Sequence, residues 1–140
     1  MVSSNTKGDR AERGLVNYLS EDGWAVIRVP SSGSGTDREL PDLIAANGEK
    51  VVAIELKRTS ETTAYFDQEK VEGLVWFAEQ FNAAPMLAAQ FDCEHGDPAY
   101  GEEWPAVYLA DVWRTETTDA GTHKLTKSEA LEDACPIHDL

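Results

Sequence analysis

A chain of 140 residues with 41% apolar content can bury one sizeable core but not two, so a single domain is expected over residues 1 to 140. No run approaches the ~20 apolar residues of a membrane span, and the opening "MVSSNTKGDRAERG" lacks the apolar centre of a signal peptide, which points to a cytoplasmic protein. The 26 acids against 12 bases give a formal charge of -14, which taken as a whole disfavours a polyanionic partner.

From Lys7 to Ser20, Leu15, Val16 and Leu19 recur at helical spacing, and Gly23 stands in the usual place past a helix end. "WAVIRV" (24–29) is rich in β-branched and aromatic residues and reads as a strand. "PSSGSGTDREL" follows without periodicity and reads as a loop, of a length that is often functional. "PDLIAA" and "VVAIELK" flank Asn47-Gly48, the strongest hairpin signal in the chain. After a polar connector, "RTSETTAYF", a second helix is expected from Asp67, its N-cap, to Phe81, with Val71, Leu74, Val75, Ala78 and Phe81 on one side. "PMLAAQF" (85–91) and "AVYLADVW" (106–113) read as strands separated by an acidic loop. From about Arg114 a polar tail follows, with a turn at Asp119-Ala120-Gly121 and a short helix around Ser128 to Ala134. This order predicts an α/β fold, a mixed sheet with flanking helices and a hairpin at its centre.

Charge is unevenly spread: residues 1 to 58 carry eight bases against nine acids, and residues 92 to 140 three against twelve. The N-terminal half can therefore still present a basic face. Excess acid also suits a cytosol at molar salt, where self-repulsion is screened within about 3 Å, so a halophilic source is expected. Cys93, His95, Cys135 and His138 could be four zinc ligands only if two separate loop segments met. Reduced thiols are the simpler reading of the two cysteines.

Side-chain alternation puts Val52, Ile54 and Leu56 on one face of their strand, and Val51, Ala53, Glu55 and Lys57 on the other. If the hairpin loop is Asn47 to Lys50, Asp42 lies opposite Glu55; with a two-residue turn it lies opposite Ala53, one diagonal step away. In both registers Asp42, Glu55 and Lys57 share a face. Facing carboxylates repel unless something positive sits between them, and hard oxygen ligands suit Mg²⁺ or Mn²⁺. The alternative is a solvated Asp/Glu/Lys network of little energetic worth. One turn before Leu15 and Val16, Glu12 lies on or beside the apolar stripe, so it needs a partner: Arg13, Arg28 or a metal held by Asp42 and Glu55.

The segments "KGDRAERGLVNYLSEDGWAVIRVPSSGSG", "PDLIAANGEKVVAIELK" and the helix with Phe77 and Phe81 closely resemble the archaeal Holliday junction resolvases, of the PD(D/E)xK nuclease superfamily. The likeness runs from Lys7 to about Phe91. It implies a restriction-endonuclease-like α/β fold in which Glu12, Asp42 and Glu55 hold Mg²⁺, Mn²⁺ substituting, and Lys57 is the catalytic lysine. Ser32 or Ser34, with Ser32 preferred, would complete the site or contact the scissile phosphate. Lys7, Arg10, Arg13, Arg28, Arg38 and Arg58 would meet DNA phosphates, and Gln68 would support the site. "TDREL" carries two acids where more basic residues are expected, and the chain beyond Phe91 matches poorly; both departures suit a version from a haloarchaeon or one of its viruses.

The activity so implied is metal-dependent hydrolysis of four-way DNA junctions by paired nicks from a homodimer, with no membrane and no small-molecule substrate. Trp76, Phe77 and Phe81 exceed one apolar stripe and either join the dimer interface or pack in the core. The rival readings are a related repair or restriction-type endonuclease acting on linear or flapped DNA, and a non-catalytic junction-binding module.

Overall fold

A computed structural model describes residues 4–30, 39–92, 107–128 and 135–136. The first helix, α1 (Ser4–Glu21), buries Ala11, Leu15 and Leu19, spaced four apart and so stacked along one face. Val16 packs only partly against this core, and Glu12, one position round from Ala11, sits half-buried at the edge of the stripe. The helix stops as expected: Gly23 takes φ 91°, and the Trp24 N–H donates back to the Leu19 carbonyl at 2.9 Å.

The strands are β1 (Ala25–Arg28), β2 (Leu43–Ala46), β3 (Val51–Thr59), β4 (Thr63–Phe66), β5 (Ala84–Phe91), β6 (Val107–Asp111), β7 (Glu116–Thr117), β8 (His123–Thr126) and β9 (Cys135–Pro136), with α2 (Gln68–Gln80) between β4 and β5. Six of them form a mixed sheet in the order β1-β2-β3-β5-β6-β9. Only the β3–β5 pair within it is parallel, and the crossover that a parallel pair requires is supplied by β4 and α2. β4, β8 and β7 make a second, antiparallel sheet.

Asn47-Gly48 turns the β2–β3 hairpin through a four-residue loop. Asn47 Oδ1 accepts from the Glu49 and Lys50 N–H groups at 2.9 and 2.8 Å, and Gly48 takes φ 94°. The register follows, with Ala46 opposite Val51 and Leu43 opposite Ile54. β3 lies between β2 and β5, and each of its faces meets a different core. Val52 and Ile54 pack with Leu15, Leu19 and Leu43 under α1. Ala53 packs on the other side with Val71, Leu74 and Ala78 of α2, Leu87 and Phe91 of β5, and Ala64, Phe66 and Leu125 of the small sheet.

Three expectations change. The polar connector contains β4, whose four residues alternate half-buried, buried, exposed, buried, because Ala64 and Phe66 complete the α2-side core. The segment read as a polar tail supplies β7 and β8, which pair around the expected turn, where Gly121 takes φ 82°. Phe81 leaves the side of α2 it was expected to share with Val71, Leu74 and Ala78 and is 55% exposed, since it falls past the last turn of α2 at the C-cap and stacks on Phe77 with ring centroids 4.6 Å apart. Asp67 is the N-cap residue of α2, but its side chain makes no capping hydrogen bond. The short helix expected around Ser128 to Ala134 falls outside the described residues from residue 129 onward, as do Cys93, His95 and His138. Among the described residues no helix is long and apolar enough to cross a membrane.

Candidate active site

The hairpin register decides how the carboxylates meet. The paired register ends with Leu43 opposite Ile54, and Asp42, just before it, stands beside Glu55 at this end of the hairpin. The backbone of Asp42 is fixed on both sides, its N–H donating to the Ile54 carbonyl at 3.0 Å and its carbonyl accepting from the Val29 N–H at 2.9 Å. Its carboxylate accepts from the Leu56 N–H at 2.8 Å, and the Glu55 carboxyl lies close enough for the two charges to act on each other. They lie on the α2 side of the sheet, with Glu55 at 9% exposure.

Burial dominates their titration. Desolvation, then the Asp42 charge, pushes Glu55 up to about 8, and Glu39 adds to the effect. Desolvation also raises Asp42, against the Leu56 N–H and the positive charges of Lys70 and Arg28. Two such groups cannot both ionise cheaply, so in the absence of a cation they hold a proton between them.

Lys57 lies one pleat beyond Glu55 on the same face and is exposed. A second cation comes from α2: Lys70 Nζ is 3.9 Å from Glu55 Oε1. The sequence reading missed Lys70, although a signal was present, because it is the sole base between residues 59 and 91, among five acids. α2 approaches this end of the hairpin closely at Gly73, where an added Cβ would come within 2.6 Å of Glu39 Cβ.

The remaining expected residues scatter around the pair. Arg28 pairs with Leu43, whose side chain faces α1, so Arg28 lies on the opposite face of the sheet from Asp42. There its guanidinium donates to Glu12 Oε2 at 3.1 Å. Glu12 is thus held at the sheet end by Arg28, and among the described residues no three acids, histidines or cysteines are gathered closely enough to hold a metal. Arg58 Nε bonds Asp92 Oδ1 at 2.9 Å, also on the face away from Glu55. Gln68 does not reach the pair: its amide donates to Glu72 Oε1 at 3.1 Å and its side chain abuts Gly121. Lys7, Arg10 and Arg13 follow one another along α1, the last two exposed. Ser32, Ser34 and Arg38 lie outside the described residues.

A half-buried Asp42 and a buried Glu55 side by side, with two lysines near them at a sheet end, are groups that can attract a cation and an anion together. A family model described as "Archaeal holliday junction resolvase (hjc)" matches residues 3–140. The chain belongs to this family. It is 38% identical over 90 residues to the crossover junction endodeoxyribonuclease Hjc of Sulfolobus acidocaldarius, an alignment that covers 64% of this chain and 63% of that one. It is 41% identical over 83 residues to the Hjc of Archaeoglobus fulgidus, covering 59% of this chain and 60% of that one. The chain therefore spans less than two thirds of the length of these curated resolvases. The solved structure of Archaeoglobus fulgidus Hjc, a Holliday junction resolvase from an archaeal hyperthermophile, superposes with a TM-score of 0.76 at 30% identity, over 93% of this chain and 96% of that one. The mixed sheet with flanking helices is thus the fold of the Hjc resolvases.

Proposed function

We propose that this chain is a structure-selective endonuclease that resolves four-way DNA junctions by metal-dependent phosphodiester hydrolysis. The observation that carries the reading is the meeting of a half-buried Asp42 with a buried Glu55 at the end of the hairpin, with Lys57 and Lys70 beside them. The donor set fits Mg²⁺ or Mn²⁺: hard carboxylate oxygens in a pair that burial leaves short of positive charge. Asp42 and Glu55 would hold the ion, with Glu12 joining them only on release from Arg28. Such an ion lowers the pKa of a water and offsets charge on a phosphate oxygen.

The chain's own groups account for the rest. The Leu56 N–H fixes the Asp42 carboxylate in place. Lys57 orients the attacking water in line with the scissile bond and stabilises charge growing on the phosphoryl oxygens, while the 3′-oxygen leaves. Ser32 or Ser34 contacts the scissile phosphate. Lys7, Arg10, Arg13 and Arg38 contact flanking phosphates, with Arg28 and Arg58 joining only on leaving Glu12 and Asp92, so recognition is of junction shape with little base reading.

Paired nicks in a two-fold substrate suit a homodimer with one site per protomer. Ile27 (63% exposed), Trp76 (37%) and Phe81 (55%) supply apolar surface for that interface. The protein would work in the cytoplasm, and its acid excess suits one at molar salt.

The deciding experiment compares cleavage of a four-way junction and its matched linear duplex, with and without Mg²⁺. Junction-selective, Mg²⁺-dependent nicking that drops by at least a hundredfold in Lys57→Ala is expected, an order typical for loss of one transition-state electrostatic partner. Equal cutting of linear duplex would instead indicate a repair or restriction-type enzyme. Junction binding without cleavage would indicate a binding module.

A further inference from the structure

Lys57 has a part in the chemistry proposed above, and Lys70, beside the same carboxylates, has none. Lys70 is the third residue of α2, and its Nζ stands 3.9 Å from Glu55 Oε1. That distance exceeds a hydrogen bond, so the donors of the ammonium are not spent on Glu55. The Lys70 side chain is 49% exposed, and an ion pair so open to water adds little to stability. A cation in the first turn also opposes the helix macrodipole, so α2 itself gains nothing from a lysine there. The backbone beneath it is nonetheless closely placed. Val71 and Leu74 are buried in the core between α2 and the sheet, and Gly73 brings the helix against Glu39. The stem of Lys70 is thus rooted in a packed helix, while its charged end, half in water, reaches the edge of the carboxylate pair.

We propose that Lys70 is a second phosphate-binding lysine of the site, contacting the same reacting phosphate as Lys57. The inference rests on the junction-nuclease reading above. A phosphate drawn up to Asp42 and Glu55 meets like charge, which positive groups close by must offset. Lys57 approaches that point along β3 and Lys70 across from α2, both on the α2 side of the sheet and both exposed. Two ammonium groups carried by two different elements can hold one anion from two directions, which sets its position as well as offsetting its charge. A lysine suits the task better than a rigid fork, because its flexible stem lets the ammonium turn from Glu55 to a phosphate oxygen with no movement of the helix. In that position Lys70 donates hydrogen bonds to non-bridging phosphate oxygens and keeps its own protons, and no covalent bond to it forms or breaks.

The test takes two readings of Lys70→Met, with Lys70→Gln as a second neutral variant. Equilibrium binding of a labelled four-way junction, without divalent cations and across a range of salt, should show a slope of log affinity against log salt that is shallower by about one, the share of a single phosphate contact. With Mg²⁺, the single-turnover rate at saturating junction should fall about a hundredfold. Lys70→Arg, which keeps the charge, should restore the slope and most of the rate. Lys50→Met makes the same charge change at the turn end of the hairpin, away from Asp42 and Glu55, and should leave both readings unchanged. A Lys70→Met slope equal to that of the unsubstituted chain overturns the proposal, because a lysine that merely pairs with Glu55 gives up no phosphate contact when removed. A shallower slope with an unchanged single-turnover rate also overturns it, since the contact then lies at another phosphate, and so does an equal change in Lys50→Met. Junction cleavage by the unsubstituted chain together with an unchanged Lys70→Met slope defeats this inference alone. A slope shallower by about one in a chain that cuts no junction keeps Lys70 on a phosphate and defeats the nuclease reading alone. Absence of junction binding defeats both.

Discussion

Glu55 sits on the central strand, where burial and the neighbouring Asp42 raise its pKa from 4.5 to about 8. A raised carboxyl pKa means that the folded chain holds this proton more tightly than the unfolded one. The resulting stabilisation is complete below pH 4.5 and is lost as the pH rises to about 8. Unfolding midpoints of the metal-free protein should therefore fall over that window relative to Glu55→Gln, which carries no titrating group there. Added Mg²⁺ or Mn²⁺ should raise the midpoint most at the alkaline end, where the pair is ionised and ready to bind. A pH profile parallel to that of Glu55→Gln would refute the coupling. Lys70, 3.9 Å from Glu55, lowers the pKa of both carboxyl groups, so Lys70→Met should displace the same loss to higher pH. Asp42, Glu55 and Lys57 were legible from strand parity alone. Lys70 was not, because nothing in the periodicity of α2 says which part of the sheet its first turn overhangs.

At the scale of elements, the approach of α2 to the segment before β2 couples the helix to the site. A Cβ at position 73 would stand 2.6 Å from Glu39 Cβ and 3.0 Å from the Glu39 carbonyl oxygen, and neither is a freely rotating end. Gly73→Ala gains about 1 kcal/mol of helix propensity against an overpacking cost of about 1–3 kcal/mol. A net stability loss of no more than about 2 kcal/mol is expected by denaturant unfolding. Metal affinity should fall more clearly, because the displaced chain leads into Asp42. Unchanged metal affinity would show that the 39–42 segment yields without moving the carboxylate. The hairpin was readable down to its parity, since Asn47-Gly48 allowed two loop lengths that keep the same faces, and the structure chose the four-residue loop. β4 and β8 were not readable. Each is four residues long and polar on one face, and their burial depends on a core provided by α2 and β5.

For the whole molecule, a formal charge of -14 on 140 residues makes self-repulsion a standing cost of compactness. Raising KCl from about 0.1 M to about 1 M shortens the screening length from about 10 Å to about 3 Å. The thermal midpoint should rise over that range and junction cleavage should persist at the upper end. A midpoint that falls would argue against adaptation to high salt. On the proposed reading DNA is held by a few local cations, and the structure pairs two of the expected ones internally, Arg28 with Glu12 and Arg58 with Asp92.

By itself the sequence determined the alternating strand faces, the turn that registers them and the end of α1, because each follows from side-chain period or from local backbone conformation. It therefore determined that Asp42, Glu55 and Lys57 share a face. Tertiary structure alone decided that Lys70 joins them, that Glu12 meets Arg28 on the opposite face, and that the polar connector and the polar tail build a second sheet. Those outcomes depend on how α1, α2 and the chain beyond β6 pack around β3, contacts between residues too distant in sequence for any local pattern to encode.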